Sequence, residues 1–221
     1  MALTPLFLLS FTAGTAPEPS PPWPPLYGAP LRRLGGLGVG PTMAVTVSGG
    51  YAYLIGRGTL RVADLAESTR PRVVGQLSGL GNTRQIVVVG DTAYVASRED
   101  GLYVVDVADP RNPALLARYD SVEFATGLAH SGDVLFIALR QFGVELVDIR
   151  DPAQPRHLSL VRTGEAQSVT CRDGWLYAGV WGTSEVVVAD VRDPWRPRIT
   201  ARVPLGGFAD DGRHHRSFPG Y

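Results

Sequence analysis

The sequence predicts an all-β protein built from four copies of one four-stranded unit, and three observations carry that prediction. The aspartates Asp64, Asp106, Asp148 and Asp190 stand at three successive steps of 42 residues. The prolines Pro71, Pro113, Pro155 and Pro197 keep the same step. Each copy also divides into short β-branched runs separated by Gly, Asp and Pro, the punctuation of strands and tight turns. A propeller blade takes about 40–45 residues, whereas a leucine-rich repeat takes about 20–29 and an immunoglobulin-like sandwich about 100. The 42-residue period therefore selects a β-propeller with four recognisable blades, near 43–77, 85–119, 126–161 and 167–203.

The second unit shows the elements in order. Gln85–Val89 reads as a first strand and Gly90-Asp91 as a two-residue turn. Thr92–Ala96 reads as a second strand and Leu102–Val107 as a third. The segment Asp109-Pro110-Arg111-Asn112-Pro113 is a turn, and Ala114–Tyr119 is the fourth strand. In the third strands, the columns Leu60, Leu102, Val144, Val186 and Val62, Val104, Leu146, Val188 are always aliphatic, and Ala63, Val105, Val147, Ala189 are small or branched. That pattern predicts a strand buried on both faces. The column Arg61, Tyr103, Glu145, Val187 varies more and is expected to reach solvent. The repeated aspartate, at a strand end ahead of a Pro-rich turn, is placed to accept hydrogen bonds from the backbone that follows it. One identical carboxylate per blade is a fold device rather than a catalytic acid.

The motifs Val104-Val105-Asp106-Val107-Ala108-Asp109-Pro110 and Leu146-Val147-Asp148-Ile149-Arg150-Asp151-Pro152 resemble the LVIVD repeat of surface-associated bacterial and archaeal β-propellers. The second-strand signatures Ala93-Tyr94-Val95-Ala96 and Leu135-Phe136-Ile137-Ala138 share in the likeness, which spans about residues 43–203. The first repeat departs from it, with Glu67-Ser68 where the others carry Asp-Pro. The resemblance implies a propeller and an exported location, and it offers no catalytic residues.

Residues 1–16 carry the apolar run Leu3, Leu6, Phe7, Leu8, Leu9, Phe11 followed by small residues, as in a secretory signal, although no basic residue precedes Arg32. The run is too short to span a membrane as a helix. Residues 17–30 hold seven prolines and read as a stiff extended linker. An extracellular, periplasmic or cell-surface location follows as an expectation. Pro30–Gly35 looks like the closing strand of a unit (31–35), and residues 210–221 abandon the pattern. A strand beyond those of four blades, and the break near Asp210, point to four blades of a larger ring, a truncated or frame-shifted product of a longer propeller, with a closed four-bladed ring as the alternative. An incomplete ring would leave apolar blade faces open to self-association.

The formal net charge is zero, which removes the basic footprint of a nucleic-acid binder. No dinucleotide fingerprint, phosphate loop or metal-ligand spacing occurs, so no cofactor and no metal are expected. Cys171, the only cysteine, lies in an alternating apolar run as a buried thiol. His214-His215 falls in the irregular tail.

Candidate binding residues come from the loops that vary. From Tyr53, Tyr94, Phe136 and Tyr177 to the anchoring aspartates the spacing runs 11, 12, 12 and 13 residues, whereas the opposite turns keep one template. The loops between second and third strands carry Arg57, Arg98, Glu99, Arg140, Gln141, Phe142 and Trp181. The links between blades add Arg84, Glu123, Phe124, Glu165 and Gln167. Arginines, carboxylates and aromatics on one face suit a protein or carbohydrate partner, so a non-catalytic interaction module is expected. The alternative is a hydrolase or lyase with Arg98, Arg140 and Glu165 at its axial mouth.

Overall fold

The computed structural model describes residues 36–205. The expected signal, the proline linker, the strand at 31–35 and the tail at 210–221 lie outside the described residues. Sixteen strands form four antiparallel sheets of four. The first holds β1 (Ala44–Ser48), β2 (Tyr51–Gly56), β3 (Thr59–Asp64) and β4 (Arg72–Ser78). The second holds β5 (Thr83–Val89), β6 (Thr92–Ser97), β7 (Gly101–Asp106) and β8 (Ala114–Tyr119). The third holds β9 (Ala125–Ser131), β10 (Val134–Leu139), β11 (Gly143–Asp148) and β12 (Arg156–Val161). The fourth holds β13 (Ala166–Arg172), β14 (Trp175–Val180), β15 (Glu185–Asp190) and β16 (Arg198–Pro204). Every sheet is an up-and-down meander in chain order.

The first strands β1, β5, β9 and β13 pack as successive neighbours along an axis, so the sheets stand like blades of a propeller. Three apolar layers lie between the four blades. Tyr53, Ile55, Leu60 and Val62 pack on Ile86, Ala93, Val95, Tyr103 and Val105. The same columns repeat one blade on, with Tyr94, Ala96, Leu102 and Val104 against Leu135, Ile137 and Val147. They repeat again with Phe136, Ala138, Val144 and Leu146 against Leu176, Ala178 and Ala189.

This layering corrects one expectation. The third-strand column thought to reach solvent is covered in the second, third and fourth blades, where Tyr103, Glu145 and Val187 are 8%, 1% and 0% exposed. In each of these blades the column lies on the face that the preceding blade covers, so it tolerates varied residues by giving them local partners. Glu145 shows how. Its carboxylate accepts hydrogen bonds from the Tyr119 hydroxyl at 2.6 Å and the Val122 amide at 3.0 Å, and lies 2.8 Å from His157 Nδ1. Burial, with the carboxylate as the next cause, holds the Tyr119 hydroxyl protonated far beyond the usual range. The Cys171 thiol is likewise pushed up by burial, which suits an inert core sulfur.

The anchoring aspartates close turns. Each accepts the amide two residues on: Ala66 onto Asp64 at 2.8 Å, Ala108 onto Asp106 at 2.9 Å, Arg150 onto Asp148 at 3.0 Å and Arg192 onto Asp190 at 3.1 Å. The Asp-Pro aspartates repeat the device, as Asp109, Asp151 and Asp193 accept from Arg111, Ala153 and Trp195. The guanidiniums of Arg150 and Arg192 fold onto Asp148 and Asp190 and hold both carboxyls at about 2 instead of the ordinary 3.8. A carboxyl whose folded value is depressed stabilises the fold above its unfolded value and loses that contribution as pH falls. The melting temperature is therefore expected to fall between about pH 4 and pH 2, and less so in Asp148→Asn/Asp190→Asn. Thermal melts across that range check it; an equal acid slope in the double variant would contradict it.

Candidate functional site

At the end of the blades opposite the aspartate turns, the first strands enter through a β-bulge. Between β5 and β6 the register passes from Thr83 opposite Ser97 to Gln85 opposite Ala96, which leaves Arg84 as the extra residue. Thr126 and Gln167 are the extra residues of β9 and β13. Met43, whose amide donates to the Ile55 carbonyl at 2.7 Å, holds the equivalent place ahead of β1. A bulge leaves one residue out of the ladder and re-aims its side chain.

A second column lies beside the first. The residues that follow the second strands are Arg57, Arg98, Arg140 and Trp181. The amides of the last three donate to the carbonyls of Asn82, Phe124 and Glu165 at 3.0, 3.1 and 3.1 Å, which pins these loops alike. The two columns, all but Arg57 and together with Glu165, line one axial cleft of about 510 Å³: Met43, Arg84, Arg98, Thr126, Arg140, Glu165, Gln167 and Trp181. The β2–β3, β6–β7, β10–β11 and β14–β15 loops that frame it have two, three, three and four residues. At the longer loops Gly101 and Gly143 take φ of 79° and 121°, and a Cβ on Gly143 would stand 2.0 Å from the Val161 carbonyl oxygen. The frame is rigid there.

Six of the residues expected from sequence line the cleft: Arg84, Arg98, Arg140, Glu165, Gln167 and Trp181. The others lie outside its lining. Glu99 approaches Arg98 Nε at 3.8 Å and accepts from the Asn82 amide nitrogen at 3.4 Å. The Arg98 guanidinium lies over the Phe124 ring, 5.8 Å from its centroid. Glu123 accepts the Gln141 amide at 2.7 Å, so this pair braces the β10–β11 loop. Phe142 is exposed beside it. Arg57 is exposed at the first blade, in a left-handed backbone conformation with φ of 50°. Met43 and Thr126 were not legible as site residues. Their signal is a column that varies from Met to Arg, Thr and Gln across the repeats, and only the bulge shows where it points. Thr126 is partly structural, with its hydroxyl shared between the Ala138 and Ala166 carbonyls at 3.0 and 2.9 Å.

The cleft is electropositive. It gathers three guanidiniums and one carboxylate, Glu165, which already accepts from Gln167 Nε2 at 3.0 Å. Among the described residues neither Arg84 nor Arg140 has a carboxylate within 4.0 Å. No histidine or cysteine lines the cleft, and no three ligating side chains cluster for a metal among the described residues. A smaller cleft of about 310 Å³ at the opposite rim is made by the turn residues Asp148, Arg150, Asp151, Gln154 and Arg156, where the Arg150 guanidinium is already paired with Asp148.

Comparison with known proteins bears on what frames this cleft. The LVIVD repeat family matches residues 39–78, 80–121 and 124–163. The chain belongs to the LVIVD repeat family. The fourth LVIVD-like unit, outside those matches, keeps the register and the sheet order of the other three. A comparison with curated proteins found no match. Among solved structures, the LVIVD chain is similar to the computationally designed Ika8 protein, with 14% identity, a TM-score of 0.58, and coverage of 72% of this chain and 49% of that one. It is similar to the designed Ika4 protein, with 14% identity and a TM-score of 0.57 over 71% of this chain and 96% of that one. A chain in a nidogen/laminin complex matches with 19% identity and a TM-score of 0.52 over 71% and 60%. The LVIVD chain thus spans about half of the first of these. The likenesses establish the propeller fold. Among the described residues no helix is long and apolar enough to cross a membrane.

Proposed function

We propose that this chain is an exported, non-catalytic interaction module that holds an acidic group of a protein or carbohydrate partner in its axial cleft. The observation that carries the reading is the convergence of Arg84, Arg98 and Arg140 on one cleft with a single, already engaged carboxylate. Guanidiniums recognise carboxylates and sulfates through paired hydrogen bonds. Trp181, 71% exposed at the rim, offers a face to a sugar ring or an apolar side chain, and Trp and Arg are the residues that dominate binding energy at interfaces. The scaffold suits such work: a chain of this fold occurs in a nidogen/laminin complex. Export rests on the apolar run and proline linker of the first 30 residues.

Calorimetric titration with oligogalacturonate and with oligoglutamate, against their uncharged counterparts, tests this. Binding of one acidic probe is expected, weakened about tenfold by each of Arg84→Gln, Arg98→Gln and Arg140→Gln, as loss of one charge-assisted hydrogen bond predicts. Equal affinity for charged and uncharged probes would refute it.

The enzyme reading retains one favourable observation, that Arg98, Arg140 and Glu165 share the cleft. Turnover of an acidic glycan that disappears in Glu165→Gln while binding survives would replace the binding module with a lyase or hydrolase.

A further inference from the structure

The link that enters the third blade exposes its apolar side chains and engages its polar groups. Residues 120–124 join β8 to β9. The Val122 amide donates to the Glu145 carboxylate at 3.0 Å, and the Ser121 hydroxyl donates to the Glu123 carbonyl at 2.6 Å. The Phe124 carbonyl accepts the Arg140 amide at 3.1 Å, and the Glu123 carboxylate accepts the Gln141 amide at 2.7 Å. On this fixed backbone Val122 and Phe124 are 52% and 39% exposed, and Phe142, next to Gln141, is 44% exposed. Apolar side chains scattered singly over a surface need no explanation. Three that flank one hydrogen bond between two loops form a patch, and such patches mark binding surfaces.

The patch adjoins the cationic cleft. The Arg98 guanidinium lies over the Phe124 ring, with Glu99 approaching its Nε at 3.8 Å, so the fork is held before any ligand arrives. Arg140 precedes Phe142 by two residues on the same loop. Further round this rim Met43 and Trp181, both in the cleft lining, are largely exposed. Among the described residues, the turns of the opposite rim expose a single large apolar side chain, Trp195.

A partner for this surface must bring an acidic group and an apolar group together. A polyanionic glycan brings carboxylates and hydroxyls, and its hydroxyls would lose their water against Val122 and Phe142 without gaining a hydrogen bond. A protein segment brings both groups on one backbone. In an extended chain, side chains two residues apart stand on one face, about 6.6 Å from each other.

We infer that the partner is a protein, docked through an extended segment that carries Asp or Glu two residues from a large apolar side chain. The carboxylate enters the cleft and the apolar group covers Val122, Phe124 and Phe142. This rests on the reading of the cleft as a site for an acidic group, and it narrows two classes of partner to one. An apolar patch on a braced frame is already ordered, so little is lost in fixing it on binding.

Calorimetric titration of the full chain with three peptides, blocked at both ends, tests the inference: (Ser-Glu-Ser-Leu)3, (Ser-Glu-Ser-Ser)3 and (Ser-Lys-Ser-Leu)3. The first is expected to bind about tenfold more tightly than the second, for partial burial of one leucine side chain, and the third not to bind. Val122→Ser/Phe142→Ser, at side chains already exposed, should bring the first peptide down to the affinity of the second. Arg140→Gln should weaken both. Equal affinities for the first two peptides, or an undiminished advantage in the double variant, would overturn the inference and leave the acid-binding cleft standing. So would oligogalacturonate bound more tightly than the first peptide, which would make the partner an acidic glycan. Binding of the lysine peptide as tight as that of its glutamate counterpart would remove the preference for an acid, and with it the reading underneath.

Discussion

Glu145→Ala is expected to lower stability by about 3 kcal/mol, because it strands the Tyr119 hydroxyl and the Val122 amide without a buried acceptor. For a chain of this size that corresponds to a fall of about 10 °C in melting temperature. The carboxylate is 1% exposed and lies where the second and third blades meet. Its donors come from both sides: Tyr119 and Val122 precede the third blade, and His157 belongs to its last strand. Glu145→Gln keeps an acceptor of the same shape and should recover much of the loss. Thermal melts of the three proteins decide the matter, and an Ala variant as stable as the parent would show that the buried carboxylate does not stabilise the blade contact.

The second large effect is a contrast within one column. Phe136→Ala should cost about 3–5 kcal/mol, since the ring is buried between the third and fourth blades and leaves a cavity there. Tyr177→Ala occupies the same column on the last blade, where the ring is 39% exposed. It should cost less than about 1 kcal/mol. Urea unfolding of both variants checks the pair. Equal losses would mean that another part of the chain covers the last face.

The repeat made most of the fold legible. A 42-residue period in Asp64, Asp106, Asp148 and Asp190 has one common all-β solution, and the turn chemistry of these aspartates followed from their place before Pro-rich segments. The burial of Tyr103, Glu145 and Val187 was not legible, because residue variety in a column looks like exposure when neighbouring blades are left out of account. The site was half legible. Loop length and composition pointed to the face that carries Arg84, Arg98, Arg140, Glu165 and Trp181. The bulges bring Arg84, Thr126 and Gln167 to the cleft, and a bulge is a matter of register that composition does not encode. Glu123 and Gln141 look like binding residues in sequence, and what sequence does not show is that the Glu123 carboxylate accepts the Gln141 backbone amide.

The reading of the variable face as the binding face is tested most directly by hydrogen exchange with and without the acidic probe that binds. Slowed exchange is predicted at the amides around the cleft, in residues 82–84, 98–100, 124–126, 140–142, 165–167 and 181–184, with the aspartate turns at 64–71, 106–113, 148–155 and 190–197 unchanged. Protection at those turns instead, with the cleft unchanged, would contradict the account and move the site to the opposite rim.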